Sequence, residues 1–598
     1  MRLRLRLTVA RESVRRTGHQ GICSLIRKKG SIYGLFSAIP LSRIHRPYYG
    51  ETSRLPGLSN LDTAPSRHLC SRAAPQSGSG QAHRKAFTSL SSGLYLGVIF
   101  AAALGLRALY IQHESLWTDE VFAATFAVQP LVDLIIANLR FDAHPPLYHL
   151  QLHFWALINQ STPWLYLNSV AWSWAAVLAL WRCSRDLLSP GEVLTATLLF
   201  SLMPVGVEWA HNLRMYGMMG FSSILIWFFC YRFFMGEDFR KPGILVAILM
   251  LVMTYSHVAG LLMFGYTGVF SICIILQKRP DQARIWWWAK MYFVTGLLAS
   301  PAAINLLLRD TGFDAPMPTP DVVLESLAYL IAGPAASGWL YPVASTAGFF
   351  ALIGFRADLN IRALFVGFVA VPVAFAILVS FVVQPAWATR MLYVAPPIFA
   401  MATARGIFET GRVVGGLAGP LAHQIAVCCS TVLIAIGLGA ASLWAAENPR
   451  KPTNYQAAAQ EIRADLKRGD VILVPEAEAF WGLAWYLVGP NWGSPLAVQD
   501  PSPDSVSEKW TRILDWLGPS WRARLNLEPR TRVVPHDGAD LIVGLSVSPL
   551  VENAKRVWLV NYANNRHPRV RVSGFQEYQQ KAFGSLTVQL LTVSTSIE

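Results

Sequence analysis

Charge is what this sequence has least of. Asp, Glu, Lys and Arg make up 15% of its 598 residues, against about 25% in soluble globular proteins. With 53% hydrophobic residues and a mean hydropathy of +0.36, that scarcity excludes an ordinary soluble domain and leaves a membrane protein. Paired cysteines are missing too. Cys23, Cys70, Cys183, Cys230, Cys273, Cys428 and Cys429 show no C-x-x-C or other metal spacing, and none follows Cys429. Zinc and thiol-redox motifs are therefore excluded, as is a disulfide within the C-terminal region. No segment repeats with a period of 20–50 residues, so the chain is not a solenoid.

The net charge of +15 belongs to one end of the chain. Residues 1–88 hold 16 Lys/Arg and 3 Asp/Glu, whereas the other 510 hold 35 and 33. A basic surface spread over a fold is absent, so a nucleic-acid partner is not expected. Residues 1–88 are rich in Arg and Ser, broken by Pro40, Pro47, Pro56, Pro65 and Pro75, and lack the apolar stretch of a secretory signal. Their composition fits a transit peptide, a basic arm on an anionic leaflet, or translated sequence upstream of the true start; disorder without a catalytic role is expected.

Apolar runs near the ~20 residues that cross a bilayer occur at 90–109, 164–182, 191–209, 217–234, 242–256, 259–277, 286–308, 341–356, 362–383, 391–409 and 420–445. Eleven transmembrane helices are expected. A twelfth run, 145–158, is short and carries His149, Gln151 and His153, and is expected to lie at the interface or to be re-entrant. With the basic arm inside and 145–158 not crossing, the inner loops receive Arg182, Arg185, Arg240, Lys241, Lys278, Arg279, Arg284, Arg356, Arg362, Arg405 and Arg412. The outer loops receive Asp119, Glu120, Asp133, Asp142, Glu208, Asp310, Asp314, Asp321 and Glu325. This arrangement satisfies the positive-inside rule, and it places the C-terminus outside.

Residues 447–598 differ in kind from the core at 89–446. An amphipathic helix is expected at 454–468, ending at Gly469, with β-like runs at 471–474, 541–547, 556–560 and 586–593 and a Trp-rich run at 479–488. The fold class expected is thus an α-helical multi-pass membrane protein with a small α/β domain on its outer face.

Unusual polar residues fall at the outer ends of the spans. They form L-W-T-D-E at 116–120, H-P-P-L-Y at 144–148, E-W-A-H-N-L-R-M-Y at 208–216, Ser256-His257, and W-A-T-R at 387–390. Singly, each has a plain structural explanation. Asp119 and Glu120 suit the first turn of a helix, Pro145-Pro146 a helix start, and Arg214 and Arg390 an interface where long basic side chains snorkel; a single histidine such as His257 is most often a core residue. Adjacent residues on a helix also point apart, so one of the acidic pair at most faces a substrate. Together they suit transfer from a lipid phosphate: Arg matches phosphate oxygens bidentately, and a carboxylate beside another serves as a general base.

The W-T-D-E at 117–120, H-P-P-L-Y at 144–148 and E-x-x-x-x-x-R-x-Y at 208–216 resemble bacterial GT-C glycosyltransferases, above all the protein O-mannosyltransferase and lipid A aminoarabinose transferase group. The resemblance covers about residues 90–410. It implies a polyprenyl-phosphate sugar donor, an acceptor that is a glycolipid, polysaccharide or protein, and inversion at the sugar on the outer face of the bacterial cytoplasmic membrane. It puts Asp119 at the base position, with Glu120 setting its pKa or orienting the acceptor. Arg214, Arg390 and His257 are expected on the donor phosphate; His144, Tyr148, Glu208 and Tyr216 line the sugar and donor pocket. The motif at 208–216 lacks the Asp that many relatives carry, so a metal site built from two acidic motifs is not expected, and no cofactor is required. The main rival is a lipid-linked sugar flippase. Transporters keep ionisable groups near the bilayer midplane, and the span centres here are almost free of charge.

Overall fold

In lipid, backbone polar groups have no water to bond, so apolar runs of this length must become helices. A computed structural model describes residues 79–142, 144–308, 317–333, 338, 341–382, 387–448, 451–490, 492, 532–536, 539–543, 554–562, 572 and 575–593. The first helix begins at Ser79, inside the arm expected at 1–88 to be disordered, and residues 1–78 of that arm lie outside the described residues. All eleven apolar stretches coincide with helix, most ends shifted by a few residues. They are α1 (Ser79–Ala108), α5 (Thr162–Ser184), the pair α6 (Pro190–Ser201) and α7 (Pro204–Ala210), α8 (Tyr216–Met235), α9 (Arg240–Ser256), α10 (Leu262–Lys278), α11 (Gln282–Leu308), α13 (Tyr341–Ala357), α14 (Leu359–Phe365) running into α15 (Val371–Val382), α16 (Pro396–Ala418) and α17 (Pro420–Glu447). Three short helices follow α1: α2 (Thr118–Ala127), α3 (Leu131–Phe141) and α4 (Leu147–Ala156). The 10 residues of α4 rise only about 15 Å, too little to cross.

Five of the described segments are long and apolar enough to span a membrane, six if α6 and α7 are one bent span. The remaining stretches are shorter, or are diluted by groups that hydropathy scores poorly. α9 and α13 have 17 residues each, α16 carries Arg405, Glu409 and Arg412, and α5 and α11 carry tryptophans with Ser, Asn or Lys. A helix not expected from the sequence, α12 (Pro320–Ala332), occupies the loop that carries Asp321 and Glu325.

The bend of 53° between α6 and α7 falls just before Pro204. The carbonyls it frees are taken up locally. Fully buried Arg107 donates from Nη1 to the Ser201 carbonyl at 2.9 Å and from Nε to Ser173 Oγ at 2.9 Å. Ser173 Oγ donates to the Gly206 carbonyl at 2.6 Å, and Ser442 Oγ to that of Leu202 at 2.8 Å. At the N-terminus of α6, buried Glu192 pairs with Arg405 at 3.0 Å and Arg412 at 3.2 Å, tying α16 to it.

The C-terminal region holds α18 (Tyr455–Asp465), α19 (Ala477–Leu487) and a six-stranded sheet of order β2-β3-β1-β4-β6-β5, with β1 (Val471–Val474) parallel to β3 (Ala539–Val543) and β4 (Arg556–Tyr562). β2 (Arg532–His536), β6 (Leu586–Val593) and β5 (Phe575–Phe583) pair antiparallel. The parallel strand β1 is buried along its whole length, as a strand covered on both faces must be. One face joins the helical core through Tyr455, Ile472, Trp481 and Trp485. The other forms a small core of Val471, Leu473, Val557, Leu559 and Leu591. The described residues form one compact unit.

Candidate active site

α2 begins at the T-D-E triplet, with its acids in the first turn where the helix dipole favours them. Their one-residue offset turns them apart. Glu120 is fully buried and accepts from Leu213 N–H at 2.7 Å, Tyr166 OH at 2.8 Å and Trp117 N–H at 3.1 Å, with Lys451 Nζ 3.1 Å away. Burial pushes its pKa up, against the pull of Lys451 and those hydrogen bonds. Asp119 is half-buried. Among the described residues its carboxylate forms no salt bridge or side-chain hydrogen bond, so it is the member of the pair that the fold leaves uncommitted.

Arg214 stands in the turn between α7 and α8 and is 5% exposed. Its Nη1 donates to the Asp119 backbone carbonyl at 3.0 Å and lies 3.8 Å from Asp142 Oδ2. Among the described residues its buried Nε has no hydrogen-bond partner. Burial works against its charge, but Asp142 and Asp119 more than offset that, and the guanidinium stays protonated. Asp142 in turn accepts from the His144 backbone N–H at 2.9 Å and lies 3.4 Å from His149 Nε2. His149 is fully buried, with Nδ1 3.0 Å from Asn138 Nδ2, and burial pushes its pKa down to about 4 despite Asp142.

The His144 ring stacks on that of His257, centroids 4.0 Å apart at 23°. His257 Nδ1 accepts from Ala259 N–H at 2.9 Å, which in the neutral ring places the proton on Nε2. Tyr216, at the start of α8, holds its ring 6.1 Å from His257. Glu208 is bound by the hydroxyl of Tyr329 on α12. One helical turn away, Ser326 Oγ lies 2.9 Å from Thr389 Oγ1 and accepts from Trp387 Nε1 at 3.0 Å. α12 therefore carries both the Glu208 contact and the W-A-T-R segment. Arg390 lies in a 3-10 turn, Thr389–Leu392, and its side chain is outside the described residues. Tyr148 is fully buried, its ring centroid 5.6 Å from that of His149.

Asp119, Arg214, His144, His257 and Tyr216 are thus linked in one chain of contacts, with Glu208 and the 387–390 segment joined to each other through α12. Sequence reasoning missed four groups that hold this arrangement: Glu114, Asp142, His211 and Lys451. His211 Nδ1 lies 2.8 Å from Glu114 Oε1, and Lys451 Nζ 2.8 Å from Glu114 Oε2. His211 stands inside the 208–216 motif and Asp142 two residues before His144. Both were open to selection as polar residues within otherwise chosen clusters. Lys451, far along the chain, carried no local signal. Among the described residues no group of three or more His, Cys, Asp or Glu side chains is placed to hold a metal ion.

The fold and this arrangement define a class, a bundle of apolar helices, several of them long enough to cross a membrane, with a C-terminal α/β sheet. Within that class the chain is similar to ArnT from Cupriavidus metallidurans. The apo structure of that protein aligns over 84% of this chain and 98% of its own, at 13% identity and a TM-score of 0.53. Its structure bound to undecaprenyl phosphate aligns over 83% and 97%, at 13% identity and a TM-score of 0.52. At such identity the likeness is one of fold. An oligosaccharyltransferase from Archaeoglobus fulgidus aligns over 78% of this chain and 69% of its own at 12% identity, with a TM-score of 0.42, too low to bear on function. No family model and no curated protein matches the chain.

Proposed function

We propose that this protein is an inverting glycosyltransferase that moves a sugar from a polyprenyl-phosphate donor to an acceptor on the outer face of the cytoplasmic membrane. The observation that carries this reading is Asp119: a half-buried carboxylate without an ion-pair partner among the described residues, held by its own backbone to a buried Arg214. The fold agrees, since a protein similar to it has been solved with undecaprenyl phosphate bound. In this proposal the bundle crosses eleven times, α4 lies at the interface, and residues 447–598 stand outside.

The acceptor's lone pair attacks C1 of the sugar as the bond from C1 to the phosphate oxygen breaks. Asp119 takes the acceptor's proton, and the polyprenyl phosphate leaves with the bonding electrons. Arg214, with Arg390 and His257, holds the phosphate as its charge grows, where preorganised donors act most strongly. His144, Tyr216, Tyr148 and Glu208 shape the donor pocket. Glu120, enclosed on every side, acts by orienting α2 rather than by touching substrate. The pairing of Arg214 with Asp142 leaves its Nε for the ligand.

The test uses purified protein in nanodiscs with radiolabelled polyprenyl-phosphate sugars and a crude envelope acceptor. Label transferred to acceptor or released to water supports the transferase. Label that only changes leaflet supports a flippase instead.

A further inference from the structure

The segment that carries Asp119 is gripped from the C-terminal region. Lys451, just after α17, is 10% exposed and inserts its ammonium between two buried carboxylates, 2.8 Å from Glu114 and 3.1 Å from Glu120. It also donates to the Ser115 carbonyl at 3.1 Å and sits 4.5 Å from the centroid of the Tyr166 ring. Around it, Tyr455 OH lies 3.0 Å from Thr118 Oγ1, and Tyr486 OH accepts from Leu116 N–H at 2.8 Å. The Trp481 ring packs 4.7 Å from that of Phe122. Contacts thus fall on residues 114, 115, 116, 118, 120 and 122, on both sides of Asp119 but not on its carboxylate.

We propose that the C-terminal region is the platform that positions Asp119, with Lys451 as the positioning residue, so that the sheet domain belongs to the catalytic unit and is not a separate acceptor-binding module. The physical reason is charge. Glu114 and Glu120 are both buried, and the other group facing Glu114 is His211. Without Lys451 the two buried carboxylates lose the cation they share, and one partner of a buried pair left alone is strongly destabilising. The segment must then rearrange, and Asp119 with it. This inference rests on the proposed transfer reaction for its kinetics but not for its structural part.

The experiment compares wild type, Lys451→Met and Lys451→Met/Glu114→Gln in nanodiscs. It reads hydrogen exchange over residues 114–127 together with kcat and the donor KM. Lys451→Met is expected to speed exchange there and to lower kcat by about 100-fold, the cost of a misplaced group, with KM kept within about threefold. The double variant, which restores charge balance, is expected to recover at least about tenfold of that loss. If Lys451→Met does not fold, the double variant carries the comparison and must fold with slow exchange and measurable transfer. Unchanged exchange over 114–127 in a folded Lys451→Met overturns the platform, as does a loss seen only in acceptor KM. Failure of the double variant to improve on the single one also overturns it. A wild type that transfers no sugar refutes the transferase, and the exchange result then judges the platform by itself.

Discussion

Arg214 donates to the backbone carbonyl of Asp119 at 3.0 Å, not to its carboxylate. The hydrogen bond fixes the residue while leaving the acid group for chemistry. It also sets the guanidinium beside Asp119, so that in the proposed reaction one contact would place both the phosphate-binding group and the base. The same nitrogen, Nη1, lies 3.8 Å from Asp142 Oδ2.

Asp142 should therefore matter as much as the residues chosen from the motifs. Asp142→Asn is expected to lower transfer on the order of 100-fold, because Arg214 loses the group that aims it. Arg214→Lys should lose about as much, since an ammonium cannot replace a planar fork. Steady-state kinetics with the lipid donor decide. Near-normal rates for Asp142→Asn would remove Asp142 from the site.

His149 carries a pH prediction. Its pKa in the fold is about 4, below the ordinary value of about 6.5. The unfolded chain takes up the proton first, so stability is full above about pH 6.5 and falls as pH drops toward 4. The single group contributes a loss on the order of 3 kcal/mol across that window. His149→Gln should unfold with a shallower pH dependence than wild type between pH ~4.5 and ~6.5, measured by thermal unfolding in detergent. Equal slopes would show that His149 takes up its proton at the same pH in the folded and the unfolded chain.

His257→Ala is expected to raise the donor KM about tenfold, the worth of one hydrogen bond to a charged group. Weaker inhibition by free polyprenyl phosphate should accompany it. An unchanged KM with lower kcat would place His257 away from the phosphate.

α13 and α16 touch backbone to backbone at glycines. A Cβ on Gly406 would stand 1.8 Å from the Phe350 carbonyl oxygen, and one on Gly354 2.0 Å from that of Ala402. Close approach through small residues is how helices pack in lipid. Gly406→Ala should cost about 1–3 kcal/mol or more, seen as a lower Tm with the site's ligand affinities unchanged in what folds.

Much of this architecture was legible in the sequence because lipid enforces one rule. A run of ~20 apolar residues must be helical, and each of the eleven runs is. α12 escaped because 13 residues bearing Asp321 and Glu325 look like a loop, although Thr319 caps the helix. Strand β5, F-Q-E-Y-Q-Q-K-A-F, escaped because an exposed edge strand needs no apolar alternation. At the site, Asp119, Arg214, His144 and His257 stood out as polar groups at span ends. Their supports did not. Lys451 meets Ser115 across 336 residues of chain, a separation that no local pattern encodes. For Glu120, expected to set the pKa of Asp119 or to orient the acceptor, only the packing shows which of two adjacent carboxylates turns inward.

The most direct test of the central claim is sugar transfer from a radiolabelled polyprenyl-phosphate donor by wild type and by Asp119→Asn, both shown to be folded by matched Tm and elution. Loss of the base should lower kcat by at least about 100-fold, at the low end of what general-base catalysis supplies, while donor binding is kept. Equal rates for the two proteins would contradict Asp119 as the base and, with it, the mechanism built on this site.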